Sequence, residues 1–363
     1  MESGEKVVRI SVRNLVEFIL KEGDIDNRIT AGTAEKDAML MGSRLHRKIQ
    51  RSMKGNYQAE VSLKRESEYE DTIIQVEGRA DGIFTEDGEV WIDEIKGTYG
   101  NLQAMEMPVP VHRAQAMCYG WIYGEKEGLS QIGIQMTYSH LDTEDTRRFR
   151  EIFSMEELKK WYQELLDAYH KWIAYSLSWK KERNASMTDL QFPFPYREGQ
   201  REIVSGVYHT VSSKKTLFVQ APTGVGKTMS AIFPSVRAIG EGKGETLFYL
   251  TAKTITGTVA WEAFHTLREN GLKFKVTAIT AKEKLCFLDS PECTPEKCPY
   301  AKGHFDRVND AVYELWTTEE VYSREVIRAH AEKWQVCPFE MCLDLSVWVD
   351  GVICDYNYAF DPN

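Results

Sequence analysis

The chain of 363 residues exceeds a typical single domain, and at about 100 to 200 residues per domain two or three are expected. An apolar fraction of 42%, no apolar run near the ~18 residues of a membrane span and no signal-peptide pattern in MESGEKVVRI point to a soluble, cytoplasmic protein without a membrane partner. A net charge of -10 argues against a protein that coats nucleic acid by bulk electrostatics, so contact with DNA would have to be local.

In chain order, VVRISVRNLVEFIL (7–20) begins with alternation and turns helical, and 33–53 reads as a helix carrying GSRLHRK, with His46 four residues after Gly42. YQAEVSL, TIIQVEGRADGIF and EVWIDEI alternate as strands, with EDG the sharpest turn signal. A helix over 111–124, a strand over 131–138 and a long aromatic-rich helix over 155–179 complete a mixed α/β domain. Two prolines and short polar residues in ERNASMTDLQFPFPYREGQ break the periodicity, which places a boundary near residue 188. Beyond it come a helix (198–212), a strand TLFVQ (216–220), a glycine loop, another helix and a strand ETLFYLT (245–251), an alternation that predicts parallel α/β.

With Asp87 and Gly88 central in a tight turn, Glu86 faces Glu89, and counting back sets Asp81 opposite Glu94. Opposed side chains have Cβ atoms about 4.5 to 5.5 Å apart, where two like charges destabilise unless a cation neutralises them. Period 2 puts Glu94 and Lys96 on one face and Asp93 on the other. Oxygen ligands of this kind suit Mg²⁺ or Mn²⁺, and Lys96 could orient a water or stabilise charge on a phosphate. Equally, Asp81, Asp93 and Glu94 could be solvated charges on an open sheet face.

These residues resemble the PD-(D/E)xK nuclease superfamily in its RecB and Cas4-like branch, through Gly42 and His46 in GSRLHRK, Asp81 in GRADGI, Glu94 and Lys96 in IDEIKG, and Gln115 and Tyr119 in QAMCYGW. The resemblance implies that Asp81, Glu94 and His46 are metal ligands, that Lys96 is catalytic, and that Gln115 and Tyr119, four apart on one helical face, help position DNA. Many Cas4-like nucleases also carry cysteines at both ends of this domain for an iron-sulfur cluster. This domain has only Cys118, which reads as a packed helix residue.

FVQAPTGVGKTMSAI is a glycine loop between a predicted strand and a helix, as a phosphate-binding P-loop requires. Gly224 and Gly226 would let backbone N–H groups close around the phosphates of ATP, Lys227 would reach the β- and γ-phosphates, and the Thr228 hydroxyl would hold Mg²⁺. Ala221 stands where the general pattern has Gly. Tyr196, Arg197 and Gln200 in PYREGQREI resemble the adenine-recognition segment of superfamily 2 helicases, and YLTAKT resembles their motif Ia, in which Thr251 and Thr254 would touch the DNA backbone.

Six of the seven cysteines fall in the last quarter, which in a cytoplasmic chain favours metal over disulfides. Cys286, Cys293, Cys298 and Cys337 could hold Zn²⁺ or an iron-sulfur cluster, since both take four thiolates. Their place after motif Ia resembles the XPD/DinG (Rad3-like) helicases and implies a [4Fe–4S] cluster, with Cys342 and Cys354 surplus and Cys342 an alternative to Cys337. VICDYNYAFDP resembles the stretch that precedes the DEAH box in those helicases, which argues against Asp355 as a Walker B acid. The chain stops at Asn363, before that box, and so reads as truncated.

The expected plan is α/β throughout: a restriction-endonuclease-like mixed-sheet nuclease domain (1–187), the first part of a RecA-like domain (188–280), a cysteine-ligated cluster insertion (281–342) and a return into the RecA-like domain (343–363). The expected function is metal-dependent DNA cleavage on single strands or single-stranded tails, coupled in a full-length protein to ATP-driven 5′–3′ unwinding, which this chain alone would not perform. Two rivals remain: a non-catalytic DNA-binding module, and a P-loop ATPase of another family.

Overall fold

The computed structural model describes residues 7–30, 35–53, 55–252 and 254–360, without the side chains of 29, 30, 35–40 and 254–256. It is an α/β structure with a mixed sheet, and it divides into two compact units, Met1–Glu22 with Arg28–Ala174, and Gly23–Asn27 with Tyr175–Asn363. The division falls at Ala174, inside a continuous helix.

The first unit opens with β1 (Val7–Ser11), and Ser11 caps α1 (Val12–Leu20) by accepting from the Asn14 amide. After the short α2 (Asn27–Thr30) and α3 (Glu35–Ser52) come β2 (Gln58–Glu68), β3 (Ile73–Glu86) and β4 (Glu89–Thr98). Asp87 and Gly88 both have positive φ, 51° and 87°, as a type I′ hairpin turn demands. A short 3₁₀ turn (Leu102–Ala104) leads to α4 (Pro110–Glu127), which starts on a proline and ends at a left-handed Gly128. Then follow β5 (Gln131–His140), β6 (Thr146–Ser154) and α5 (Met155–Thr188).

The sheet order is β1-β3-β4-β5-β6, with β2 also paired to β3. Along β3, β2 covers residues 73–83, β1 pairs parallel with 73–77 and β4 pairs antiparallel with 82–86. Because β2 occupies one edge, β1 and β4 must share the other, and between them residues 78–81 have no strand on that side. Asp81 sits in this opening. Leu45 and Ile49 of α3 pack on Ile95 of β4, and at about 1.5 to 3 kcal/mol per fully buried side chain they fix the rotation of α3 over it.

The second unit contains the end of α5, then α6 (Gln200–Ser212), α7 (Lys227–Gly240), β7 (Leu247–Thr251), α8 (Thr254–Glu269), β8 (Val276–Ala278) and α9 (Lys282–Leu285). It continues with α10 (Val308–Thr318), β9 (Val321–Tyr322), α11 (Arg324–Trp334), α12 (Pro338–Ser346), β10 (Gly351–Asp355) and α13 (Asn357–Phe360). Its sheet is wholly parallel in the order β7-β10-β8-β9, with a core of Ile232, Val236, Phe264, Phe274 and Ile353.

One expectation fails here. Residues 216–220, read as a strand, form none, and Phe218 in their midst is 93% exposed. A strand exists only as half of a hydrogen-bonded ladder, and no described strand pairs with this segment, so its apolar run finds nothing to fold against.

Candidate active site

The hairpin keeps the register that the turn dictates: Glu86 pairs Glu89, Phe84 pairs Trp91 and Gly82 pairs Asp93. The ladder stops there, and one step on Asp81 replaces it with its side chain. The Ile95 amide donates to Asp81 Oδ2 at 2.7 Å, and His46 Nδ1 of α3 lies 3.3 Å from Oδ1. On the β2 edge the ladder skips the Glu60–Asp81 position, where Glu60 has φ +57°. Gln50, one helical turn after His46, donates to both the Glu60 carboxylate (3.0 Å) and the freed Asp81 carbonyl (2.9 Å).

Glu94 is on the same face, 2% exposed, with Oε1 accepting from Lys96 Nζ at 2.9 Å. Its Oε2 is buried and has no hydrogen-bond partner. Burial first, and then the Asp81 charge, push the Glu94 carboxyl up to about 8, against the opposing pull of Lys96. For His46, burial favours the neutral ring, but the hydrogen bond and charge of Asp81, with Glu94, outweigh it and raise the pKa. Lys96 also donates to Gln115 Oε1 at 3.1 Å, and Gln115 Nε2 donates to the Tyr119 hydroxyl at 3.4 Å. Tyr119 reaches this far because its ring lies on Gly78, where a Cβ would stand 2.7 Å from the hydroxyl. His46 thus meets Asp81, and Glu94, Lys96, Gln115 and Tyr119 form a second chain of contacts, the two coupled through the charges of Asp81 and Glu94; Gly42 lies one turn before His46 on α3.

Asp93 points to the opposite face, accepting from Thr137 (2.6 Å), Gln135 (2.9 Å) and Tyr57 (3.1 Å). Neither it nor Glu94 is a solvated charge on an open face, since both are buried. Gln50 and Tyr57 escaped the sequence reading. The spacing of Gln50, four residues after His46, was the available signal for the first, whereas nothing local marked Tyr57.

The glycine turn before α7 holds its own group. Gly224 and Gly226 have φ of +82° and +81°, and Gly226 caps α7. Lys227 Nζ donates to the carbonyls of Ala221 (2.8 Å) and Pro222 (3.0 Å), folded over its own loop. The Thr228 hydroxyl meets Tyr249 at 3.3 Å. Gln200 Oε1 accepts from the Arg197 amide at 3.0 Å, the Arg197 guanidinium donates to the Gly224 carbonyl, and Tyr196 stacks on Phe192 at 4.4 Å. Thr251 ends β7 beside Asp355 of β10, and the side chain of Thr254 lies outside the described residues.

Cys286, Cys293, Cys298 and Cys337 line one small cavity, walled also by Ile25, Leu288 and Phe339. The Leu288 amide donates to Cys286 Sγ at 3.4 Å, and burial pushes the Cys337 thiol up to about 11. Cys342 sits apart on α12, 3.6 Å from the Thr277 hydroxyl, while Cys118 and Cys354 are buried elsewhere. The donor sets suit their expected occupants: four thiols around one cavity, and two carboxylates with an imidazole and one orphaned oxygen. Their spacing is not closed, however: among the described residues no group of three or more His, Cys, Asp or Glu is set to hold a metal ion. At the hairpin the reason is visible, since Asp81 Oδ2 and Glu94 Oε1 are engaged by Ile95 and Lys96.

No protein-family model matches the chain. It is similar to a probable ATP-dependent helicase of Methanocaldococcus jannaschii, 40% identical over 47 residues, which are 13% of this chain and 7% of that protein. Among solved structures, the crystal structure of SSO0001 aligns with 46% of this chain and 78% of its own at 19% identity and a TM-score of 0.29. No described helix is long and apolar enough to cross a membrane.

Proposed function

We propose that the first unit is a metal-dependent nuclease of the PD-(D/E)xK kind acting on DNA, and that the second is part of an ATP-binding helicase motor of the XPD/DinG kind. The single observation that carries the nuclease reading is the buried, unpartnered Oε2 of Glu94 beside Asp81, His46 and Lys96. An orphaned carboxylate oxygen next to a second carboxylate costs about 1 to 3 kcal/mol or more, and a cation held between the two would offset that cost.

His46, Asp81 and Glu94 would hold Mg²⁺ or Mn²⁺, which supplies positive charge to the phosphate in the transition state and a more acidic water. Lys96, held between Glu94 and Gln115, presents its ammonium on the same face, where it can orient a water or offset charge on the phosphate oxygens. Gln115 and Tyr119 fix the rotamer of Lys96 from behind.

For the second unit the support is the glycine turn at the start of α7 with Lys227, Thr228, Arg197 and Gln200 gathered on it, which suits the phosphates and base of ATP, together with the short helicase match. The thiols of Cys286, Cys293, Cys298 and Cys337 would hold a [4Fe–4S] cluster, with zinc the other group of matching chemistry.

The test is cleavage of a labelled single-stranded oligonucleotide with Mn²⁺ or Mg²⁺ and with chelator. The expected result is metal-dependent cleavage abolished by Asp81→Ala and by Lys96→Ala, whereas equal cleavage by both variants would refute the assignment. A brown anaerobic preparation absorbing near 400 nm would support the cluster, and a colourless protein with stoichiometric zinc would refute it.

A further inference from the structure

The helix that carries His46 has a third face that neither the core nor the metal centre uses. Leu45 and Ile49 face the core, and His46 and Gln50 face Asp81. Arg44, Arg47, Lys48 and Arg51, spaced i, i+3, i+4 and i+7, share the remaining face and line an open groove with one acid, Glu144. Glu144 pairs with Lys48. Among the described residues Arg44 and Arg51 have no side-chain partner. Four cations against one carboxylate is the reverse of the chain as a whole, whose net charge is -10.

At the start of this stripe stands an exposed aromatic. Tyr99 is 47% exposed and its hydroxyl lies 3.7 Å from Met41 Sδ, one turn before Arg44 on α3. It lies three residues after Lys96, roughly 10 Å along the strand direction. His140 meets the Tyr99 ring edge-on at 6.4 Å, and both line a second groove reaching Thr143 and Asp145, which flank Glu144. One loop thus borders both grooves.

We propose that this stripe and Tyr99 form the track for a single nucleic-acid strand entering or leaving the Asp81 centre, the arginines taking its phosphates and Tyr99 stacking on a base. The stripe spans about 10 Å of helix, long enough for its cations to meet more than one phosphate of the same strand. The stacking ring selects a single strand, because a paired base has no free face to offer. The proposal rests on the nuclease reading for its direction, but its test does not depend on cleavage.

The experiment is binding of a fluorescent 20-nucleotide oligo(dT) to the full chain in chelator, by anisotropy across a salt series. Removing three charges in Arg44→Ala/Arg47→Ala/Arg51→Ala should reduce the slope of log K against log[salt] by about 2 and weaken binding about ten- to a hundredfold. Tyr99→Ala should leave the slope unchanged and lose about tenfold on single strands but not on duplex. Matching thermal melts exclude misfolding, and Arg44→Gln and Arg51→Gln alone should each reduce the slope by about 0.7. An unchanged slope in the triple variant overturns the track, as does an equal effect of Tyr99→Ala on single strand and duplex. Reduced binding in the variant of a chain that never cleaves would instead sink the nuclease reading and leave the track standing.

Discussion

The hairpin centre and the glycine turn both gather residues suited to phosphate, but they are built in opposite ways. Around Asp81 the sheet register and the packing of α3 lock the polar groups before any ligand arrives, and one carboxylate oxygen is left buried and unbonded. At the glycine turn the groups are largely exposed, and Lys227 satisfies itself on the carbonyls of its own loop. The first would meet its ligand preorganised, at a cost in stability, and the second would have to release Lys227 from its loop to reach a phosphate. The difference teaches that an orphaned buried atom points to a site only in company, as Glu94 Oε2 does with a second carboxylate, an imidazole and a lysine around it.

The largest expected effect breaks the comparison outright. Asp81→Asn keeps the size of the side chain but removes the charge that faces His46 and that would hold the metal. Cleavage should fall by about a thousandfold or more, roughly 4 kcal/mol of transition-state stabilisation, in single-turnover assays with Mn²⁺. A loss below tenfold would mean that the preorganised centre does not do the chemistry.

A buried charge without an orphan serves as the control. Lys275 is 1% exposed, yet its ammonium donates to the Trp316 and Glu319 carbonyls at 2.6 Å each and lies 4.4 Å from the Trp179 ring. Burial pushes its pKa down to about 8. The unfolded chain, with a lysine pKa of about 10.4, binds more protons between pH 8 and 10, so folding stability should rise with pH across that window by on the order of 2 kcal/mol. Urea unfolding should show this rise in the native chain and its absence in Lys275→Met. A flat native profile would mean that Lys275 is as well solvated as a surface lysine.

At the glycine turn, Lys227→Ala removes one charge-assisted contact to phosphate, worth about 2 kcal/mol, so ATP affinity should fall about thirtyfold by calorimetry. Because Lys227 has partners in the free loop, part of its binding energy is offset, and a drop beyond a thousandfold would contradict the self-satisfied geometry.

Much of the hairpin was legible in the sequence. Asp-Gly chemistry demands positive φ at two adjacent residues, that fixes the register, and period 2 then separates Asp93 from Glu94. Burial was not legible: the partners of Asp93, Gln135 and Thr137, arrive from β5, far along the chain, and Tyr57 arrives from before β2. The apolar run in 216–220 misled because it reports what a strand would bury and not whether a partner lies alongside. The cysteine spacing suggested a shared set, but not that Ile25, from the segment Gly23–Asn27, would wall the same cavity.

Gln50 gives the smallest and sharpest test of preorganisation. Its amide spans the one place where β2 and β3 part, holding the Asp81 carbonyl and the Glu60 carboxylate while Glu60 keeps a left-handed backbone. Were that contact only structural, Gln50→Ala would cost about 1 kcal/mol of stability and leave cleavage by the folded protein unchanged. Since the same strand residue presents the Asp81 carboxylate to His46, loosening its carbonyl should instead lower the single-turnover rate about fivefold, with substrate affinity unaltered. Gln50→Glu, which lacks the amide donor at neutral pH and adds a charge beside Glu60, should be worse than alanine. Equal rates in all three proteins would show that the sheet alone, without α3, holds Asp81 in place.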